Sequence, residues 1–361
     1  MLGPFGWSAV LTQWQFAPIV SASVAIALGL YVWGAVRVAR RHPARPWPAR
    51  RTALFAAGLA VIVLATQSGI GVYDDLLYWD HMVQHLMLIM AAPPLLIAGQ
   101  PITLLLHASR NPLHTWAKRV VRSRLATFLT WPVFGAVAYA AAIAVAHLTS
   151  VANVVEQNQT LHNLEHAVFL FVGYLFFLPI LGREPIRWRL SYPVRFIILV
   201  LIMPVDTFTG LMLGYGSAGT PGIPQGPAPV WAPAPLSDLH TGGAVMWIGG
   251  DGIMFGLMML VFLMWSLDDR AATSGHGWLE AARRASMAGL VAGQHGPGAA
   301  AAGGVEGRSA GVEGGAVGPV GAAAAAPVSW DGRGGIDDDE HLAAYNAFLA
   351  RLNEAETGRK Q

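Results

Sequence analysis

Seven apolar runs, each close to the ~20 residues a helix needs to cross a bilayer, divide the chain at roughly 16–36, 52–71, 81–99, 126–148, 162–181, 194–214 and 243–266. Hydrocarbon offers no water to backbone amides, so an isolated apolar run of this length is satisfied only as a helix. Composition agrees: 54% of residues are apolar and 12% charged, where a soluble domain carries about 25% charge. The expected fold is all-α, a polytopic membrane protein with seven transmembrane helices.

Charge placement orients these spans. Arg37, Arg40, Arg41, Arg45, Arg50 and Arg51 follow the first run. Arg110, Lys118, Arg119, Arg122 and Arg124 follow the third, and Arg183, Arg187, Arg189 and Arg195 separate or flank the fifth and sixth. Segments 1–15, 72–80, 149–161 and 215–242 contain no Lys or Arg and carry Asp74, Asp75, Asp80, Glu156 and Asp238 instead. The positive-inside rule then predicts the N-terminus out and the C-terminus in. A cleavable signal peptide has its positive charge ahead of the apolar stretch, so the first run is expected to remain as a helix. The pI near 9.0 follows from topology and does not imply nucleic acid. Abundant Arg and Ala, with Lys at 118 and 360 alone, suggests a GC-rich bacterial genome, and the expected location is the bacterial plasma membrane as a multi-pass protein.

The division of the chain follows. Residues 1–270 form the seven-helix domain. Residues 271–336 are a Gly/Ala-rich cytoplasmic tail with too few large apolar side chains for a core, and are expected to be disordered. Residues 337–361 carry a short amphipathic helix, opened by Asp337, Asp338, Asp339 and Glu340 and repeating Leu342, Tyr345, Leu349 and Leu352 at helical spacing.

Two copies of one spacing carry the chemistry. His81-x-x-x-His85 and His162-x-x-x-His166 open the third and fifth runs, and residues four apart share a helix face one turn apart. Both runs descend in the same sense, so the pairs match in depth. His147 lies near the outer end of the fourth run, and His240 just before the seventh. Asp206 and Asp251, each about eight residues from the outer end of its run, fall at a common depth of ~12 Å, just under the histidines. Ionisable groups at such depth are costly and mark function or a mutual polar network. The chain has no cysteine, which removes disulfides and thiolate ligation. Imidazoles with Met82, Met203, Met212 and Met246 nearby suit copper better than hard cations. The expected metal ligands are thus His81, His85, His162, His166, His147 and His240. Asp206, Asp251, Glu165 and Asp238 are assigned to ligand support or a proton relay, and the four methionines are read either as ordinary apolar filler or as soft ligands. His85 and His166 are the central pair, His81 and His162 the entry. The prolines Pro93, Pro94 and Pro179 are expected to kink the histidine helices.

These residues resemble a known family. His81-Met82-x-Gln84-His85 running into Pro93-Pro94-Leu95 and Gly99-Gln100-Pro101 is similar to the signature of the multi-span CtaG family, linked to assembly of caa-type cytochrome c oxidases. His162-x-x-Glu165-His166-x-x-Phe169-x-x-x-Gly173, ending at Pro179, resembles its second signature. Asp238-Leu239-His240-Thr241-Gly242-Gly243 with Met246-Trp247 resembles its third, although Leu239 and His240 stand where the family favours amides. The likeness covers roughly 15–268 and implies seven spans and a role in maturing a haem–copper oxidase through copper. An unrelated single-span copper chaperone shares the name but is built on cysteines, which this chain lacks.

The leading expectation is a copper-binding membrane assembly factor that delivers the metal to an oxidase subunit, with the lipid bilayer around it and a homo-oligomer compatible with it. A b-type haem cytochrome ligated by His85 and His166 is one alternative. A copper or proton-coupled transporter using Asp206 and Asp251 is another. The sequence has no nucleophile–base arrangement and no phosphate-binding glycine loop, so enzymatic catalysis is not expected.

Overall fold

A computed structural model describes residues 3–217, 220 and 229–269, all within one compact unit. The tail 271–336 and the amphipathic helix 337–361 lie outside the described residues. Among the described residues, six helices are long and apolar enough to cross a membrane: α1 (Pro18–Arg41), α2 (Ala49–Tyr73), α3 (Tyr78–Ala108), α5 (Gln159–Leu181), α6 (Tyr192–Gly214) and α7 (Pro235–Asp269). Between α3 and α5 lies α4, Pro132–Leu148, apolar but 17 residues long.

The fourth run, expected as one span over 126–148, is in fact divided. A short helix, Arg124–Leu129, ends before Trp131, which is extended at φ −67°, ψ 125°, and Pro132 then opens α4. The cause is local: a proline excludes the preceding residue from the α region. At ~1.5 Å per residue α4 measures ~26 Å, slightly under a ~30 Å hydrocarbon layer.

Five helices close a ring. α3 packs on α5, α5 on α4, α4 on α6, α6 on α7, and the first turns of α7 return to those of α3. α2 lies outside the ring against α3, and α1 lies against α2 and the last segment of α3, Pro101–Ala108. Exposed Ile19, Ile26, Leu30 and Trp33 on α1 are ordinary for a helix that faces lipid.

The helices are not simply kinked at their prolines. In α3 the α-helix Tyr78–Leu86 passes into a π turn, Met87–Ala91, and resumes at Ala92–Ala98. Pro93 and Pro94 have no N–H for the carbonyls four residues back, and the extra residue of a π turn absorbs the mismatch. The Ile89 carbonyl freed in this way faces α5 at Gly173, where an added Cβ would lie 2.1 Å from that oxygen. Glycine there lets the two histidine-bearing helices approach closely. α3 breaks again at Gln100, a non-glycine residue at φ 55°, ψ 55°. α7 carries a second π turn, Val245–Gly249, directly before Asp251.

The side chains at one end of the ring are histidines and acids, and at the other arginines. Between them the interior is filled by Phe176, Phe177, Leu178, Ile180 and Leu199, each 2% exposed or less.

Candidate metal centre

α3 and α5 place their histidine pairs face to face. Ring centroids are 4.0 Å apart for His81–His85 and 4.3 Å for His162–His166, the spacing of stacked i, i+4 residues. Across the helices they are 5.1 Å apart for His81–His162 and 5.9 Å for His85–His166. The close helix approach at Gly173 therefore turns two one-helix stripes into a four-imidazole cluster. His81, His85 and His162 are 7%, 4% and 2% exposed.

Donor atoms of His81, His85, His162 and Glu165 all fall within 4.8 Å of one another. A second group meets the same limit: Asp74, His162 and His166. In both groups the helices supply the imidazoles. Asp74 comes from the turn between α2 and α3, a position that no helical periodicity links to the histidines.

Hydrogen bonding assigns the protons of His147 and His85. His147 Nδ1 lies 2.9 Å from the Ile143 carbonyl, which can only accept, so Nδ1 carries hydrogen. In the neutral ring His147 Nε2 is then an acceptor, and His85 Nδ1, 3.2 Å away, donates to it. His85 Nε2 is left with a bare lone pair. It has no hydrogen-bond partner and lies 3.5 Å from the Glu165 carboxylate. The chain Ile143 carbonyl–His147–His85 thus holds one imidazole in a metal-ready tautomer.

His162 is held similarly. Its Nδ1 is 3.5 Å from the Asp75 carboxylate, while its Nε2 is buried without a partner, as is His166 Nε2. The His162 imidazole holds the exposed Asp75 carboxyl below the usual carboxylate range. Burial and the adjacent Asp75 charge push Asp74 up to about 6, even though Gln84 Nε2 donates to it at 2.7 Å. Buried polar atoms are normally paired. Among the described residues, six buried side-chain atoms are not, and all lie at this end: both Asp80 oxygens, Gln84 Oε1 and Nε2 of His85, His162 and His166.

Beneath the cluster is a small cavity of about 10 Å³, room for about one water, bounded by Met82, His85, Ile143, His147, Phe169, Asp206 and Met246 among others. All five ring helices contribute to it. Asp206 is fully buried and accepts from the Tyr139 hydroxyl at 3.2 Å.

The other residues singled out by sequence sit elsewhere. His240 is half-buried and donates from Nε2 to the Gly216 carbonyl at 3.0 Å, outside both donor groups. Asp238 accepts from the backbone N–H groups of Tyr78 at 2.7 Å and Trp79 at 3.2 Å. It therefore caps the first turn of α3, whose N–H groups have no partner within the helix. Asp251 accepts from the Thr207 hydroxyl at 2.9 Å, so the link from α7 to α6 runs through that residue. Met203 is half-buried and Met212 is 61% exposed; neither lines the cavity. Sequence reasoning passed over Asp74 and Asp75. Their one legible signal was an acidic pair in a segment without basic residues.

Comparison with known proteins supplies an independent finding. The family model described as "Cytochrome c oxidase caa3 assembly factor" matches residues 29–267. Uncharacterised proteins of Mycobacterium bovis and Mycobacterium tuberculosis are each 30% identical over 275 residues, covering 73% of this chain and 41% of theirs. An uncharacterised protein of Mycobacterium leprae is 28% identical over 267 residues, covering 72% of this chain and 40% of its own length. The chain thus spans about two-fifths of the relatives it matches. No solved structure matches.

Proposed function

This chain belongs to the cytochrome c oxidase caa3 assembly factor family, and from that premise we propose that it binds copper at the histidine cluster and delivers it to a haem–copper oxidase subunit. It is a multi-pass protein of a bacterial membrane. The observation that carries the proposal is the set of three buried imidazole Nε2 atoms, on His85, His162 and His166, left without partners in one cluster. Leaving a buried polar group unpaired costs about 1–3 kcal/mol, and a metal ion bound in this cluster satisfies two of the three at a time, His162 with either His85 or His166. Borderline-soft nitrogens without cysteine, above a cavity edged by the thioethers of Met82 and Met246, suit copper over hard cations.

The copper is cargo. Chemistry on it is left to the recipient, and the role proposed is non-catalytic. His81, His85, His162 and Glu165 would hold the ion, and His147 would orient His85. Asp206 supports the floor of the cluster through Tyr139. With α4 counted as a short seventh span, the arginine-rich loops share one side of the membrane, the N-terminus lies outside, and the cluster faces out toward an extracytoplasmic copper site of the oxidase. Residues 1–270 would then be the functional domain, with the remainder an appendage to it.

Two other readings meet specific obstacles. A haem between His85 and His166 needs a slot for a macrocycle, and the Phe169 ring packs against His85 with centroids 4.5 Å apart. Transport through the ring would have to cross the layer of Phe176, Phe177, Ile180 and Leu199, which is fully buried and apolar.

The test is elemental analysis of the detergent-purified protein after copper loading and desalting. Wild type is expected to retain copper, and the His85→Ala/His166→Ala double variant to lose it. Wild-type protein that retains no copper above background overturns the proposal.

A further inference from the structure

Resting on the copper reading above, we propose that the ion has two overlapping, mutually exclusive seats that share His162: an entry seat of Asp74, His162 and His166, and an inner seat of His81, His85, His162 and Glu165. Each group brings its donor atoms within 4.8 Å of one another, and His162 belongs to both.

Exclusivity follows from the state of that ring. An imidazole can serve two ions at once only by using both nitrogens. The Asp75 carboxylate sits 3.5 Å from His162 Nδ1 and keeps a hydrogen there, while Nε2 is buried and unpaired. One lone pair is therefore on offer, and it serves one ion at a time. An ion moving between seats keeps its bond to His162 while the other ligands exchange, so it is never bare in a low-dielectric site, where an uncompensated charge is prohibitively costly.

Exposure sets the direction. Asp75, beside the entry seat, is 59% exposed, and Asp74 and His166 are half-buried. In the inner seat His81, His85 and His162 are all buried and the Glu165 side chain is 11% exposed. The seats also differ in chemistry. The entry seat offers two nitrogens and a carboxylate, suited to an ion still partly hydrated. The inner seat offers three nitrogens and a carboxylate, and His85 in it is already set in its tautomer by His147.

The experiment titrates Cu(II) sulfate into the full-length purified protein and records electron paramagnetic resonance spectra alongside copper stoichiometry. Wild type is expected to bind one ion per chain in two spectral components that differ in nitrogen hyperfine structure. Asp74→Asn should lose the nitrogen-poorer component and keep one ion per chain, and Asp74→Glu should restore that component. Glu165→Gln with His81→Gln should lose the nitrogen-richer component instead, and His162→Gln should lose both. A single wild-type component unchanged by Asp74→Asn overturns the shared-seat proposal, as does saturation at two ions per chain. Either result leaves the copper reading standing. That reading fails separately if wild-type protein binds no copper at all.

Discussion

The two ends of the helix ring treat buried polar groups in opposite ways. At the arginine end, Glu184 is 4% exposed and accepts from the backbone N–H groups of Ile102 and Thr103 at 3.1 and 2.8 Å and from the Thr103 hydroxyl. Burial pushes its pKa up, and the bonds from Thr103 and Ile102 pull it back. Nearby, the Tyr31 hydroxyl donates to the Gly99 carbonyl at 2.7 Å and accepts from Trp47 Nε1 at 3.0 Å. These groups close the break in α3 at Gln100, and their hydrogen bonds go to one another and to backbone. At the histidine end, by contrast, helices α3 and α5 keep unpaired imidazole nitrogens, the Asp80 carboxylate oxygens and the Gln84 amide oxygen buried. A polar group retained for architecture is satisfied by the fold. One retained for a ligand has to be left open, and the chain carries that cost at one end alone among the described residues.

The largest effect that would break this contrast is functional. His85→Ala with His166→Ala should abolish copper retention with only a small change in thermal stability, since the lost His85–His147 hydrogen bond is offset by removal of two unpaired buried nitrogens. A large fall in melting temperature would show that the histidines are structural after all. Glu184→Ala should do the reverse. It strands two backbone N–H groups and is expected to destabilise by about 2–3 kcal/mol in denaturant unfolding, with copper affinity intact. Between these extremes lies His147→Ala, which removes the partner that sets the His85 tautomer. Loss of an orienting hydrogen bond weakens metal affinity by about 10–100-fold, measurable by competition with a copper chelator. An unchanged affinity would return His85 to independence from α4. The smallest effect belongs to Asp238→Ala. Loss of a helix cap costs about 1–2 kcal/mol, and copper stoichiometry should stay constant because the capped backbone lies a turn away from the ligand face.

Much of this protein was open to reading along the chain. Apolar runs and arginine-bearing loops placed the long helices, because a bilayer imposes its thickness on any sequence that crosses it. Spacing of four put His81 over His85 and His162 over His166, since helical geometry is local. The fourth run resisted: its apolar content continues through Trp131, but Pro132 forbids the helix there. The prolines of α3 were visible as a disturbance, while its form as a π turn facing Gly173 depended on how α5 packs.

What the sequence determined by itself was therefore everything carried within one helix: membrane residence, helical periodicity, the two histidine stripes and the absence of thiolate chemistry. Only the tertiary structure decided which stripes meet, that Asp74 and Asp75 close the cluster from a turn, that His147 works through His85, and that His240 and Asp238 bond to backbone instead. The physical reason is range. A helix fixes its own faces through bonds four residues long, whereas the candidate ligand set depends on contacts between distant segments, such as His85 with His147, 62 positions apart, which only the packed ring brings together.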